Sequence, residues 1–401
     1  MYKETIKNII IKYDELFTKS VVKSLNFEDL IDKISCNANV ISACINGQVA
    51  GYCAYYMNDF VIVKTADEYS PNTILEYLKN FHQFLIWLIE NHYVNENKTS
   101  DIAPESLDKL TVRTATEYKS YLLRRKKQNK KALDKNGHKE ESTETLSKVT
   151  IQRNITALKV IFKFLSRSAN NSQEKPFLTH DVMQSIDNVA DKQTLQARAD
   201  ALEEKLFLDD ETDEYLQYIK EVYPQSLSTQ AKKFYNRDVE RDLAINALML
   251  GSGLRLSEVV NINIEDLDFE NNRVAVLRKG NKKDSVRIAA FAMEYLANYR
   301  DIRASRYRAD KYEKAFFLAI SRGGSKRITG SAIEKMVSKY SKGFKVRVTP
   351  HKLRHTLATR LYKQTNNLVL TAQQLGHSST ATTTLYTHID NDETTDALNS
   401  L

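Results

Sequence analysis

A chain of 401 residues is long enough for two or three domains with ample core. Its 59 Lys and Arg outnumber 51 Asp and Glu, and the net charge of +8 suits a nucleic-acid partner without proving one. With only 11 Gly and 5 Pro the composition favours long helices over a turn-rich β fold, and no segment reaches the uninterrupted apolar length of a membrane span.

Residues 1–66 stand apart. Ile6, Ile9, Ile10 and Tyr13 recur with helical spacing. Residues 40–45 and 48–57, on either side of Asn46-Gly47, predict a hairpin on a type I′ turn. Seven Lys against seven Asp and Glu leave the segment neutral, unlike a DNA-binding arm, so it is read as a small accessory extension. It holds all three cysteines, Cys36, Cys44 and Cys53. An odd count without zinc spacing reads as reduced thiols in a cytoplasmic protein. Lys3, Glu4 and Lys7 interrupt the apolar residues of 1–12, so no signal peptide is expected.

Residues 67–172 predict a helical domain. Ser70-Pro71 opens one helix, with Ile74, Leu75, Leu78, Phe81, Leu85 and Leu88 on one side. A second is expected over 115–123. A third begins near Thr150 and carries Ile155, Leu158, Ile161, Phe162 and Leu165. Between the second and third lies a basic loop, 124–135, with seven Lys or Arg among twelve residues against one Asp. Such runs are often solvated faces. On a DNA-binding protein, Arg124, Arg125, Lys126, Lys127, Lys130 and Lys131 are candidates for phosphate contacts, which give affinity but no sequence information.

Residues 173–213 read as a linker with a helix of its own near 192–205. Residues 214–401 predict a mostly helical domain with a small sheet. An apolar helix over 241–250 leads into Gly251-Ser252-Gly253. Short strands at 273–277 and 285–288 flank a turn at Gly280-Asn281, and 316–319 is a candidate third strand.

This last domain holds an ordered polar set: Arg255, then His351 and Arg354, then His377, then Tyr386. Arg offers a planar fork of donors that fits phosphate oxygens bidentately. Imidazoles move protons near neutral pH. A tyrosine hydroxyl, with an ordinary pKa near 10, needs such neighbours to become a nucleophile. His351 and Arg354, three apart on an expected helix, share a face. His351 and His355 also have the four-residue spacing of a zinc pair. The residue after the first His is however Lys352, not the Glu a zinc protease needs, and no third ligand has an obvious spacing, so no metal is expected. His355 reads as a packed core histidine, and His377, after Gly376, as lying at a helix start where free amides favour phosphate. Tyr362 is the nearest rival to Tyr386 and reads as core.

The segments Gly253-Leu254-Arg255-Leu256-Ser257-Glu258, Pro350-His351-Lys352-Leu353-Arg354-His355, Leu375-Gly376-His377 and Leu385-Tyr386-Thr387-His388 together resemble the tyrosine recombinase (phage integrase) family. The resemblance runs over roughly residues 70–401, and within the family it is similar to the Xer subfamily of the single-enzyme, XerS-like kind. It implies a mainly α, two-domain DNA clamp: a core-binding domain over 67–172 and a catalytic domain over 214–401. It also implies that Tyr386 attacks the scissile phosphate to form a 3′-phosphotyrosyl link. Arg255, Arg354 and His377 then hold the phosphoryl group, while His351 aids proton transfer from the tyrosine. Lys279 is the general acid, although Arg278 stands where relatives often have Gly, and Lys282 and Lys283 are close alternatives. No cofactor is required, since the covalent intermediate conserves the bond energy. A homotetramer on two double-stranded DNA sites is implied, with residues 392–401 passed between protomers. A division-linked DNA translocase is an expected partner. The same chemistry would serve a mobile-element integrase or a type IB topoisomerase, and a non-catalytic DNA-binding protein is the alternative of another class.

Overall fold

The computed structural model describes residues 56–133, 139–168, 175–189, 194–278, 282–321, 324–377, 379–380, 383–389 and 400. The chain divides into two compact units, 1–192 and 193–401. The hairpin expected over 40–57 lies outside the described residues except at its last two positions, which instead begin a helix.

The first unit is helical. Helix α1 (Met57–Ala66) precedes α2 (Pro71–Glu90), α3 (Pro104–Asp108), α4 (Val112–Arg124) and α5 (Lys148–Arg167). The starts of the long helices are written in side chains. Ser70, Thr111 and Ser147 each accept a hydrogen bond from the backbone N–H three residues on, filling one of the four donors a helix start leaves unpaired. Apolar residues at helical spacing then meet in one core: Leu78, Phe81 and Leu85 of α2 with Ile155, Leu158 and Phe162 of α5. Phe60 and Val61 of α1 are fully buried in it, so residues 56–66 belong to this core rather than to a separate extension. Leu178, Val182, Met183 and Ile186, expected in a linker, are buried in it too.

The basic run is not a loop. Strand β1 (Lys126–Leu133) pairs antiparallel with β2 (Lys139–Thr145), with two irregularities of register. Lys and Gln have little intrinsic preference for strands. Pairing with the later segment organises this stretch, and Lys127 Nζ reaches Glu144 across the ribbon at 2.6 Å.

The second unit is built on α8 (Thr229–Ser252), preceded by α6 (Leu195–Glu203) and α7 (Glu211–Gln217). The second half of α8 is buried almost all round, as its apolar sequence requires. Helix α9 (Leu256–Asn261) leads to a three-stranded antiparallel sheet of β3 (Leu267–Asp268), β4 (Arg273–Arg278) and β5 (Lys282–Arg287). Helix α10 (Ala290–Tyr307) lies along α8. The candidate third strand is realised as β6 (Leu318–Ser321), which pairs with β7 (Gly324–Arg327) in a separate hairpin. Helices α11 (Gly330–Phe344), α12 (Pro350–Thr365) and α13 (Leu368–Leu375) follow, then a 3-10 turn at Thr384–His388.

Candidate active site

Helix α8 ends because Gly253 adopts a left-handed conformation (φ +69°) that a side chain would resist. A Cβ there would also lie 2.8 Å from Leu357 and 2.9 Å from Leu375. The reversal sets Arg255 at the N-cap of α9, where the Glu258 carboxylate reaches back to its backbone N–H at 2.8 Å. The same carboxylate accepts from Arg255 Nη1 at 3.0 Å, and Arg255 Nη2 donates to the carbonyl of Gly376 at 3.2 Å.

Glu258 is almost fully buried and serves a second guanidinium, Arg278, whose Nη1 lies 3.3 and 3.1 Å from its two oxygens. Arg278 also bonds Asp284 (3.0 Å) and the Gln374 carbonyl (3.1 Å). The strand explains its direction: Val274, Val276 and Arg278 alternate onto the buried face of β4. Gly376 is packed so closely on Arg278 that a Cβ would come within 2.6 Å of its guanidinium.

Helix α12 carries His351, Arg354 and His355. Arg354 is 2% exposed, and it donates to the carbonyls of Gly253 (2.5 Å) and Leu375 (2.6 Å) at the C-terminal ends of α8 and α13. Burial, with Arg255 close by, brings its pKa down to about 10, so it is still a cation at neutral pH. Five N–H donors allow these two bonds with others to spare.

His377 stands past the end of α13, not at a helix start. Gly376 takes the left-handed capping conformation (φ +61°), and the His377 N–H bonds back to the Ala372 carbonyl. Its own N–H is thereby engaged by a helix carbonyl, so anion binding by His377 falls to its side chain. Its Nδ1 is 2.9 Å from Thr383 Oγ1. Burial, then Arg354 and Arg255, lowers its pKa to about 4.

Tyr386, in the 3-10 turn, is 1% exposed. Burial raises its phenol to about 12, only partly opposed by Arg354. Its hydroxyl is 2.8 Å from Nδ1 of His355, which in turn meets the His351 ring edge to face at 4.4 Å. Burial, then His351 and nearby cations, takes His355 down to about 3. His351 is exposed at the surface, yet loss of water on its inner side and the neighbouring Arg354 lower its pKa as well. Tyr362 is half-buried against the apolar cluster that includes Tyr386.

Thus Arg255, His351, Arg354, His377 and Tyr386 converge. Lys279 lies outside the described residues, between β4 and β5 in sequence, and Lys282 and Lys283 are exposed. The basic residues Arg124, Arg125, Lys126, Lys127, Lys130 and Lys131 belong to the other unit, at the end of α4 and along β1; Arg125 stacks on Tyr121 at 6.0 Å. Among the described residues no group of three or more His, Cys, Asp or Glu is placed to hold a metal ion. Sequence reasoning read His355 as packed without finding Tyr386 as its hydrogen-bond partner, Arg278 as a mere departure from pattern, and α6 as linker. The first two had signals, four-residue spacing from His351 and strand alternation. The last did not: α6 packs Ala199 and Leu202 against Tyr386 and Ile389, and Gln196 donates to the His388 carbonyl at 3.0 Å.

Residues 217–393 match the phage integrase family. The tyrosine recombinase XerS of Streptococcus gordonii is 45% identical over 347 residues, covering 86% of this chain and 95% of the relative. XerS of Streptococcus pneumoniae strain Hungary19A-6 is 45% identical over the same shares. The chain belongs to the tyrosine recombinase (phage integrase) family. It is accordingly a site-specific recombinase that cuts and rejoins DNA. Its fold is that of the XerH recombinase bound to a palindromic difH substrate in a post-cleavage complex (TM-score 0.57, 19% identity, 92% of this chain and 93% of that one). Similar too is a lambda integrase dimer bound to a COC′ core site (TM-score 0.51, 12% identity, 82% and 93%).

Proposed function

We propose that this recombinase resolves chromosome dimers at a dif-like site, with Tyr386 as its nucleophile. The observation that carries the assignment is the placement of one buried phenol against a histidine ring, with Arg354 close enough to oppose the rise in its pKa. Tyr386 attacks the scissile phosphate and forms a 3′-phosphotyrosyl link. Arg255, Arg354 and His377 stabilise the charge that develops on the phosphoryl oxygens. Lys279 protonates the departing 5′ oxygen. A 5′ hydroxyl from the partner strand then reverses the step, through a Holliday junction. Four protomers on two sites, exchanging residues 392–401, fit this scheme, as do a cytoplasmic location and a division-linked translocase partner. The domains in this reading are an accessory segment ahead of residue 56, a core-binding domain that takes in 56–66 and 178–186 as well as 67–172, and a catalytic domain that takes in α6 as well as 214–401. Residues 124–131 supply phosphate contacts.

The test uses nicked suicide substrates on denaturing gels. Wild type should form a covalent adduct and Tyr386→Phe none, while both bind the site alike. A persistent band in the variant would mean another tyrosine is the nucleophile. Recombination between two dif-like sites distinguishes resolution from integration, in which only mobile-element ends would react.

A further inference from the structure

The β4–β5 hairpin is held unevenly to the body of the second unit. At its base Val274, Val276 and Val286 are buried in the core. Toward its tip Leu277, Lys282, Lys283, Asp284 and Ser285 are exposed, and among the described residues there only Arg278 turns inward. Its guanidinium leaves the hairpin and reaches two other elements. Nη1 lies 3.3 and 3.1 Å from the two oxygens of Glu258 on α9, and Nη2 donates to the Gln374 carbonyl on α13 at 3.1 Å. Nε donates to Asp284 of β5 at 3.0 Å. Each nitrogen of the fork thus has its own fixed partner, an arrangement that a planar guanidinium can satisfy and an ammonium cannot.

Such a tie is stiff. The Arg278 and Glu258 side chains are 8% and 3% exposed, so neither charge can exchange its partner for water as a surface pair does. The hairpin tip cannot swing outward without leaving an ionised group buried and unpaired. The same Glu258 carboxylate holds Arg255, and Gly376, pressed onto the Arg278 guanidinium, leads directly to His377. On the hairpin side, the residue that follows Arg278 is Lys279. We infer that Arg278 is a positioning residue for strand cleavage, fixing the hairpin tip and the lysine that follows it in one frame with Arg255 and His377. The inference rests on Lys279 being the general acid, as proposed above. As the bond from phosphorus to the 5′ oxygen breaks, that oxygen takes the lysine's proton, and the transfer needs the two atoms about 3 Å apart. A hairpin tip of exposed polar residues does not hold that distance by itself, and a misplacement of about 1 Å costs on the order of 10²-fold.

The test is single-turnover cleavage of the nicked suicide substrate and of the same DNA with sulfur in place of the bridging 5′ oxygen. A thiol, with an ordinary pKa of about 8.5, leaves as the thiolate and needs no general acid. Arg278→Met keeps most of the side chain's length and removes the fork. It should bind the site like wild type, cleave the oxygen substrate about 10²-fold more slowly, and return to within about threefold of wild type on sulfur. Arg278→Lys, which keeps the charge without the fork, should show the same pattern with a smaller loss. Should Arg278→Met not fold, Asp284→Ala decides on the same two substrates, because it removes one partner of the guanidinium and leaves the buried pair intact; a smaller loss, again cured by sulfur, is expected. A residue that served stability alone would slow both substrates alike. An equal loss on oxygen and sulfur, or no loss on oxygen, therefore overturns the inference. Lys279→Ala is the control. If sulfur does not restore it, the lysine is misassigned and this inference falls with it; if sulfur restores Lys279→Ala but not Arg278→Met, only the role of Arg278 falls.

Discussion

Replacing Glu258 with Ala should destabilise the second unit selectively. The carboxylate is 3% exposed and Arg278 is 8% exposed, so the pair is a buried one. Removing one partner of such a pair typically costs about 3–5 kcal/mol, because the remaining charge is left uncompensated. Arg278 keeps Asp284, but that carboxylate is 41% exposed and screened by water, which limits the rescue. Loss of the reach-back bond to the Arg255 N–H adds about 0.5–1 kcal/mol. A total of about 4 kcal/mol, with a urea dependence on the order of 3 kcal/mol per molar, moves the unfolding midpoint down by about 1 M. The molecule contains its own reference. Its single tryptophan, Trp87, is buried in the first unit, so tryptophan fluorescence follows that unit while far-ultraviolet circular dichroism follows both. The dichroism transition should move and the fluorescence transition should not. A dichroism shift below about 0.3 M would show that the buried pair contributes little, and Glu258 could then not be the organiser of the two arginines.

Further outcomes are expected. His355 and His377 are held neutral, near 3 and 4 against an ordinary 6.5, so the unfolded chain binds protons that the folded one refuses. Their contribution to stability is complete above pH 6.5 and is lost as pH falls toward 4, at up to about 1.4 kcal/mol per pH unit each, less what partial exposure removes. Thermal melts from pH 7.5 to 4.5 should show a falling midpoint that His355→Gln flattens, and an equal slope in the variant would contradict this. Changing the Lys and Arg of 124–135 to Ser should weaken cognate and unrelated DNA about equally and lower the salt slope by roughly 0.9 for each phosphate no longer neutralised. An unchanged slope would place that charge in water. Cleavage should survive EDTA, and activity that disappears and returns with zinc or magnesium would refute the proton-transfer role of His351.

Much of this architecture could be read from side chains that act locally. Ser70, Ser147 and the apolar stripes of α2 and α5 announce themselves within one helical turn. The alternation through β4 does so too, although its inward endpoint, Arg278, looks like a surface residue until Glu258 is brought to it. The five converging site residues were legible because short motifs surround each of them. What stayed hidden depends on distant partners. Gly376 can close a helix as well as open one, and only the packing of Arg278 against it decides. The hydrogen bond of His355 needs Tyr386, 31 residues away. The strand character of 126–133 needs a second strand whose pairing local propensity does not disclose.

The bonds of Arg354 have a consequence for biosynthesis. Its guanidinium joins the Gly253 carbonyl, 101 residues earlier, to that of Leu375, 21 residues later, while Arg255 reaches Gly376 across 121 positions. Contacts so far apart in the chain close late, after the cost of ordering the intervening segments has been met. During synthesis from the N-terminus, the Leu375 and Gly376 carbonyls that these arginines need emerge well after the first unit has done so. A nascent chain can therefore fold its first unit before the arginines of the second have both of their carbonyl partners.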